Sequence, residues 1–151
     1  MKAKALKDVE ILLVEDNQAD VLMTRSAFED FNVCNTLHVV EDGVQALEFL
    51  RGEGRFSNSP RPDLIMLDLN LPRKNGREVL AEIKNDPRLH AIPVGVLTTS
   101  NAEKDILQAY DLHVNCYIVK PVGFANFVEA IRSIKDFWFS LVTLPSVQKD
   151  D

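Results

Sequence analysis

The sequence predicts an α/β domain built on a parallel sheet with helices on both faces. Five short apolar runs alternate with five amphipathic stretches, and no internal repeat is evident. The runs are continuous rather than strictly alternating, as expected of strands buried on both faces.

The elements follow in order. VEILLVE (9–15) is short, β-branched and ended by acids, so it reads as the first buried strand. Residues 18–31 form the first helix, LHVVE (37–41) the second strand and 43–51 a short second helix. The polar segment GEGRFSNSPRP (52–62) is the longest loop. DLIMLDL (63–69) is the third strand, and LPRKNG turns the chain, with Asn75-Gly76 as its strongest marker. REVLAEIKN is the third helix, IPVGVLTT (92–99) the fourth strand and AEKDILQAYDL the fourth helix. NCYIVK (115–120) is the fifth strand, and a long helix runs from about Phe124. Gly95 inside the fourth strand is unexpected, because glycine weakens strands, and it marks a place of close packing.

Composition narrows the class. A chain of 151 residues, 46% hydrophobic and 26% charged, fits one globular domain with a real core. A net charge of -6 argues against broad electrostatic attraction to nucleic acid. No run approaches the ~18 apolar residues of a membrane span, and no signal-peptide pattern opens the chain. Cys34 and Cys116 form neither a CxxC nor a ligand cluster, so a reduced, cytoplasmic protein is expected. Only a short polar tail follows Pro145, and no second domain is expected.

Ligands of such sheets sit beyond the carboxyl ends of the strands. That rim collects Glu15 and Asp16 after the first strand, Asp68 at the third, Thr98 at the fourth and Lys120 after the fifth. Asp68 alone would read as a turn former. Three carboxylates brought together repel one another, and a divalent cation relieves the conflict. Hard oxygen ligands with room for water favour Mg²⁺. Lys120, between an apolar strand and Pro121, can reach a phosphoryl oxygen as a point charge. A cis bond before Pro121 would turn the chain sharply and aim that lysine, although trans is the ordinary state of such a bond. Thr98 could donate its hydroxyl to the same group, but Thr99 and Ser100 stand beside it and residue chemistry alone does not choose. The set suggests a metal-dependent pocket that accepts a phosphoryl group.

Hydrolytic enzymes fit less well. Haloacid-dehalogenase-like phosphatases want a second aspartate two residues after the nucleophile, and Asn70 stands there. The chain has no glycine-rich P-loop, GxSxG or HExxH. His38, His90 and His113 are scattered and read as surface or structural residues.

These residues closely resemble the receiver domains of two-component response regulators. The resemblance rests on the acidic pair in LLVEDN, the aspartate in MLDLNLP, the threonine in VLTTS and the lysine in YIVKP, and it covers almost the whole chain. LDLNLPRKNGREVLAEIK, LTTSNAEKDI, LHVNCYIVKP and IKDFWFSLVTLP look like the stand-alone regulators of cyanobacterial phytochromes. The resemblance implies a flavodoxin-like, doubly wound five-stranded sheet in the order 2-1-3-4-5. It implies a single receiver domain over 1–151, with a core at about 8–142 and no output domain. Asp68 would take phosphate from a sensor histidine kinase, here a phytochrome. Asp16, Asp68 and the backbone carbonyl of Asn70 would bind Mg²⁺, with Glu15 acting directly or through water. Thr98 and Lys120 would contact the phosphoryl group, and Tyr117 would be the aromatic switch. The protein would be a phosphoacceptor, not an enzyme, and at most slowly dephosphorylate itself. The alternatives are a metal-dependent phosphatase or phosphotransferase with Asp68 as nucleophile, and an unphosphorylated pseudo-receiver adaptor.

Output needs a surface. In the last helix Phe127, Ile131, Ile134, Trp138 and Leu141 recur at steps of four and three, and Phe137, Phe139 and Val142 widen the stripe. A helix of ~20 residues would overhang strands of about 17–20 Å. Its distal aromatics would then pack on the chain's own LVTLP tail or on a second copy. The resemblance favours a homodimer through the fourth helix, fifth strand and fifth helix, with Phe137, Trp138 and Phe139 on the dimer surface. In the first helix Val21, Leu22 and Met23 are consecutive, so at least one should face outward and could dock a kinase helix.

Overall fold

Strands β1 (Val9–Val14), β2 (Asn35–Val40), β3 (Leu64–Leu67), β4 (Val94–Thr98) and β5 (Cys116–Val119) form one sheet in the order β2-β1-β3-β4-β5. All neighbouring pairs are parallel, as the sequence predicts. The coordinates are a computed structural model that describes residues 9–29 and 35–136. Between the strands run α1 (Gln18–Glu29), α2 (Gly43–Arg51), α3 (Gly76–Asn85), α4 (Glu103–Asp111) and α5 (Phe124–Asp136). The predicted 52–62 loop contains one turn of 3-10 helix, Gly54–Phe56.

Alternate residues of β1 point to opposite faces, and each face has its own core. Leu12 and Val14 join Leu47 and Phe49 of α2, Leu80 and Ile83 of α3, and Ala109 of α4. Ile11 and Leu13 join Phe28 of α1 and Phe127 and Ile131 of α5. A fully buried leucine or isoleucine contributes about 1.5–3 kcal/mol, so the two faces fix the pleat and hence the register. The register sets Val14 beside Leu67. Glu15 and Asp68, the next residue on each chain, therefore leave adjacent strands side by side. Strand order reverses between β1 and β3, so this is also where the crevice lies.

Caps hold the helices that flank that crevice. Asp42 accepts from the Gln45 N–H at 2.8 Å to start α2. Asn75 and Glu78 form a reciprocal capping box at α3, at 3.0 and 3.2 Å.

Several strand boundaries differ from expectation. β2 starts at Asn35, two residues before the apolar run, and stops before Glu41, whose N–H is taken by the Gln45 side chain at 3.1 Å. β4 starts at Val94, because Ile92 donates to the Leu89 carbonyl in a turn and Pro93 has no N–H to give. β3 ends at Leu67, and Asp68 follows it with its N–H still bonded to the Val14 carbonyl at 3.1 Å. Among the described residues every peptide bond is trans, including the one before Pro121. Lys120 is instead aimed by its own N–H, which donates to the Thr98 carbonyl at 2.7 Å. Phe137, Trp138, Phe139 and Cys34 lie outside the described residues. No helix among the described residues is long and apolar enough to cross a membrane.

Gly95 is a site of close approach: a Cβ there would lie 3.0 Å from Cys116 Sγ. Gly76 is tighter. A Cβ on it would fall 2.3 Å from the Asp68 carbonyl oxygen and 2.6 Å from Leu69 Cα. Only glycine lets the start of α3 lie against the segment that carries Asp68. Gly76→Ala is expected to destabilise the fold by about 1–3 kcal/mol, the usual range for overpacking. Urea unfolding checks this, and a midpoint equal to wild type would mean that α3 can slide aside without cost.

Candidate functional site

Carboxylate oxygens of Glu15, Asp16 and Asp68 all lie within 4.8 Å of one another. Glu15 and Asp68 are buried, while Asp16 is open to solvent. This is an all-oxygen donor set with one wet side, which suits a hard divalent cation that keeps some of its water. The two buried acids are each held by the turn that follows their strand. Asp68 Oδ1 accepts from the Asn70 N–H at 3.2 Å, and Glu15 Oε2 accepts from the Asn17 N–H at 3.2 Å. Asn70 itself is exposed.

Lys120 closes the cluster from β5. Its Nζ lies 2.6 Å from Glu15 Oε1, 2.7 Å from Asp20 Oδ2 and 3.4 Å from Asp68 Oδ2, with only 6% of the side chain exposed. Burial alone would lower the lysine pKa, but hydrogen bonds to Asp20 and Glu15 and the charge of Asp68 outweigh it and hold the ammonium above its ordinary value. Burial has the opposite consequence for Glu15. It pushes that carboxyl up to about 7, against the lysine hydrogen bond and with help from the Asp68 charge.

Thr98 is fully buried at the end of β4, and the Ser100 N–H points to its hydroxyl at 3.5 Å. Of the three adjacent hydroxyl residues, Thr98 is thus the one inside, and Ser100 takes another role. Its hydroxyl donates to Asp105 Oδ2 at 2.5 Å, and its carbonyl accepts from the Tyr117 hydroxyl at 2.9 Å. Arg77 of α3 reaches the other oxygen of Asp105 at 2.6 Å. The Ser100 hydroxyl and then Arg77 hold the Asp105 carboxyl below its usual range, and burial raises the Tyr117 phenol. Tyr117 is half-buried and packs on the α2–α3 core.

Glu15, Asp16, Asp68 and Lys120 therefore meet in one cluster, and Thr98 is tied to it through its carbonyl, which accepts from the Lys120 N–H at 2.7 Å. Asp20 and the Arg77–Asp105–Ser100 chain were not selected. An acid in a first helical turn is so common as a partner of the helix dipole that Asp20 carries no distinct signal. Asp20 follows Asp16 by four residues, close to one helical turn, and that spacing was the available clue. A separate groove of about 870 Å³, lined by Phe49, Arg51, Arg61, Asp86 and Arg88 among others, contains none of the acceptor cluster.

A doubly wound sheet of this order, with acids at the β1/β3 crevice and a lysine from β5, defines a receiver. Residues 11–132 match the response regulator receiver domain, and the chain belongs to that family. It is 48% identical over 136 residues to the response regulator Rcp1 of Synechocystis sp., covering 90% of this chain and 92% of that protein. Among solved structures it resembles the phosphorylated cyanobacterial phytochrome response regulator RcpA. The TM-score is 0.91 and the identity 51%, over 93% of this chain and 100% of that one. It also resembles the Mn²⁺-bound form of Rcp1, with a TM-score of 0.89 and 47% identity over 91% and 99% of the two chains.

The raised Glu15 carboxyl implies a pH dependence. It binds a proton more readily folded than unfolded, so its stabilising contribution is complete below its ordinary value of 4.5 and is lost as pH rises through about 7. In the absence of metal, wild type should lose stability relative to Glu15→Gln across that window, on the order of a few kcal/mol. Urea titrations in EDTA at several pH values check this. A difference that does not change with pH would show that Lys120 keeps Glu15 ionised throughout.

Proposed function

We propose that this receiver is a phosphoacceptor switch in which Asp68 takes a phosphoryl group from a phosphohistidine of a sensor histidine kinase. One observation supports this above the others: the buried Asp68 carboxylate sits within 4.8 Å of Glu15 and Asp16 and 3.4 Å from the Lys120 ammonium. In the step, the phosphorus–nitrogen bond of the donor breaks as a bond from an Asp68 carboxylate oxygen to phosphorus forms. Such transfers depend on in-line positioning and charge neutralisation more than on covalent machinery. Glu15, Asp16 and Asp68, with the Asn70 carbonyl, would hold Mg²⁺, which when bound neutralises charge on the phosphoryl oxygens. Lys120 supplies a second positive charge, and the Thr98 hydroxyl donates to a phosphoryl oxygen. Asn70 offers no acid or base for rapid hydrolysis, so the product persists as a signal.

The kinase is proposed to be a phytochrome, on the strength of the similarity to Rcp1 and to the phytochrome regulator RcpA. Leu22 of α1 is 65% exposed while Val21 is buried, which supports a docking role for that face of α1. Output is proposed to pass through Thr98 and Tyr117 to the α4–β5–α5 surface, where a homodimer forms. On those elements Leu107 of α4 is 58% exposed and Tyr110 49% exposed, and Val119 of β5 and Phe124 of α5 are exposed as well.

Incubation with a small phosphodonor tests the acceptor. With Mg²⁺, wild type should gain the mass of one phosphoryl group. EDTA should abolish the gain, and Asp68→Asn should reduce the rate at least 100-fold. Labelling of Asp68→Asn at the wild-type rate would sink the assignment. For the dimer, Leu107→Asp should weaken self-association at least tenfold, the equivalent of about 1.4 kcal/mol, as read by sedimentation. An unchanged dissociation constant would remove α4 from the interface.

A further inference from the structure

Lys120 makes two close contacts, and only one of them is with a member of the metal-suited acid cluster. Glu15 belongs to the set of three carboxylates that converge within 4.8 Å, and Asp20 does not. Yet Asp20 Oδ2 lies 2.7 Å from the ammonium, nearer than the 3.4 Å of Asp68. The Asp20 side chain is 17% exposed and the Lys120 side chain 6%, so the pair is shielded from solvent. Asp20 is also firmly placed. Its N–H donates to Asn17 Oδ1 at 3.0 Å, and its carbonyl accepts from the Thr24 hydroxyl at 2.8 Å, so its backbone is tied on both sides in the first turn of α1.

An ammonium has three donors and a flexible four-carbon stem. Here three carboxylates share those donors, and each has a different fate. Glu15 is one of the acids that would turn to a divalent cation. Asp68 is the group that reacts. Among the described residues, Asp20 is the one anionic partner of Lys120 that neither reacts nor belongs to the cluster. We propose that Asp20 is a positioning residue, which anchors the Lys120 ammonium beside Asp68 while Glu15 and Asp68 are engaged elsewhere. The inference rests on the phosphoacceptor reading of Asp68. It assigns to α1 an indirect part in phosphoryl acceptance, acting through the lysine that follows β5.

Asp20→Asn keeps the size and the hydrogen-bond acceptor and removes the charge, so it separates anchoring from folding. The assay is the initial rate of phosphorylation by acetyl phosphate as a function of Mg²⁺, in wild type, Asp20→Asn, Asp20→Glu and Asp68→Asn, with urea unfolding to confirm that each variant is folded. An anchoring role predicts that Asp20→Asn lowers the rate at saturating Mg²⁺ by about tenfold, the scale of a misplaced reacting group. The Mg²⁺ concentration for half-maximal rate should stay within about twofold of wild type, because Asp20 is not a ligand. Asp20→Glu, which restores the charge, should recover most of the loss. Labelled wild type with Asp20→Asn equally fast or faster overturns the inference alone. So does a loss that saturating Mg²⁺ restores in full, which would make Asp20 part of the metal site, and so does a failure of Asp20→Glu to rescue. A wild type that takes no label at all overturns the acceptor reading, and this inference with it.

Discussion

The interaction on which the site depends is the buried ammonium of Lys120 shared among Glu15, Asp20 and Asp68. Without it, two buried carboxylates would face each other with no compensating charge, a state that costs several kcal/mol per ion. With it, the end of β5 is drawn to the ends of β1 and β3 and to the first turn of α1. The lysine thus does two things that are hard to separate. It makes the acidic crevice tolerable in the folded state, and in the proposed reaction it would set a positive charge beside the acceptor.

That arrangement is available because of how the sheet is wound. β1 and β3 are neighbours in space although β2 lies between them in sequence, and their register brings Glu15 and Asp68 out together. α1 and α5 cover one face, and α2, α3 and α4 the other. The rim between the two layers stays accessible at Asp16. Gly76 completes the geometry by letting α3 begin against the Asp68 backbone. The acidic crevice therefore rests on two well-packed apolar cores, which keep its acids from relaxing apart.

Most of this was legible in the sequence, and the reason is positional. Glu15, Asp16, Asp68, Thr98 and Lys120 each follow an apolar run, so a strand period and a parallel sheet are enough to bring them to one rim. Thr98 could not be separated from Thr99 and Ser100 by residue type, because the choice depends on which side of the chain turns inward. Asp20 was hidden by an ordinary helical role. Arg77 and Asp105 were hidden because their partnership crosses 28 positions and leaves no local trace. The end of β2 was misplaced by one residue because a side chain of α2, Gln45, takes the Glu41 N–H that the strand would have used.

The chain from Arg77 through Asp105 and Ser100 to Tyr117 offers, under the proposed function, a route from the crevice to the outer surface. Thr98 and Ser100 lie two residues apart, and the Ser100 N–H leans on the Thr98 hydroxyl. A phosphoryl group that drew Thr98 inward would therefore pull on Ser100, which carries both the Tyr117 hydroxyl on its carbonyl and the Asp105 carboxylate on its own hydroxyl. Asp105 belongs to the first turn of α4, the helix that exposes Leu107 and Tyr110. Arg77 of α3 would oppose that movement through its 2.6 Å ion pair with Asp105. Two competing pulls on one loop, one from the crevice and one from α3, are what a two-state element needs. In the proposed switch the balance lies between Thr98 and Arg77, with α4 as the part that moves.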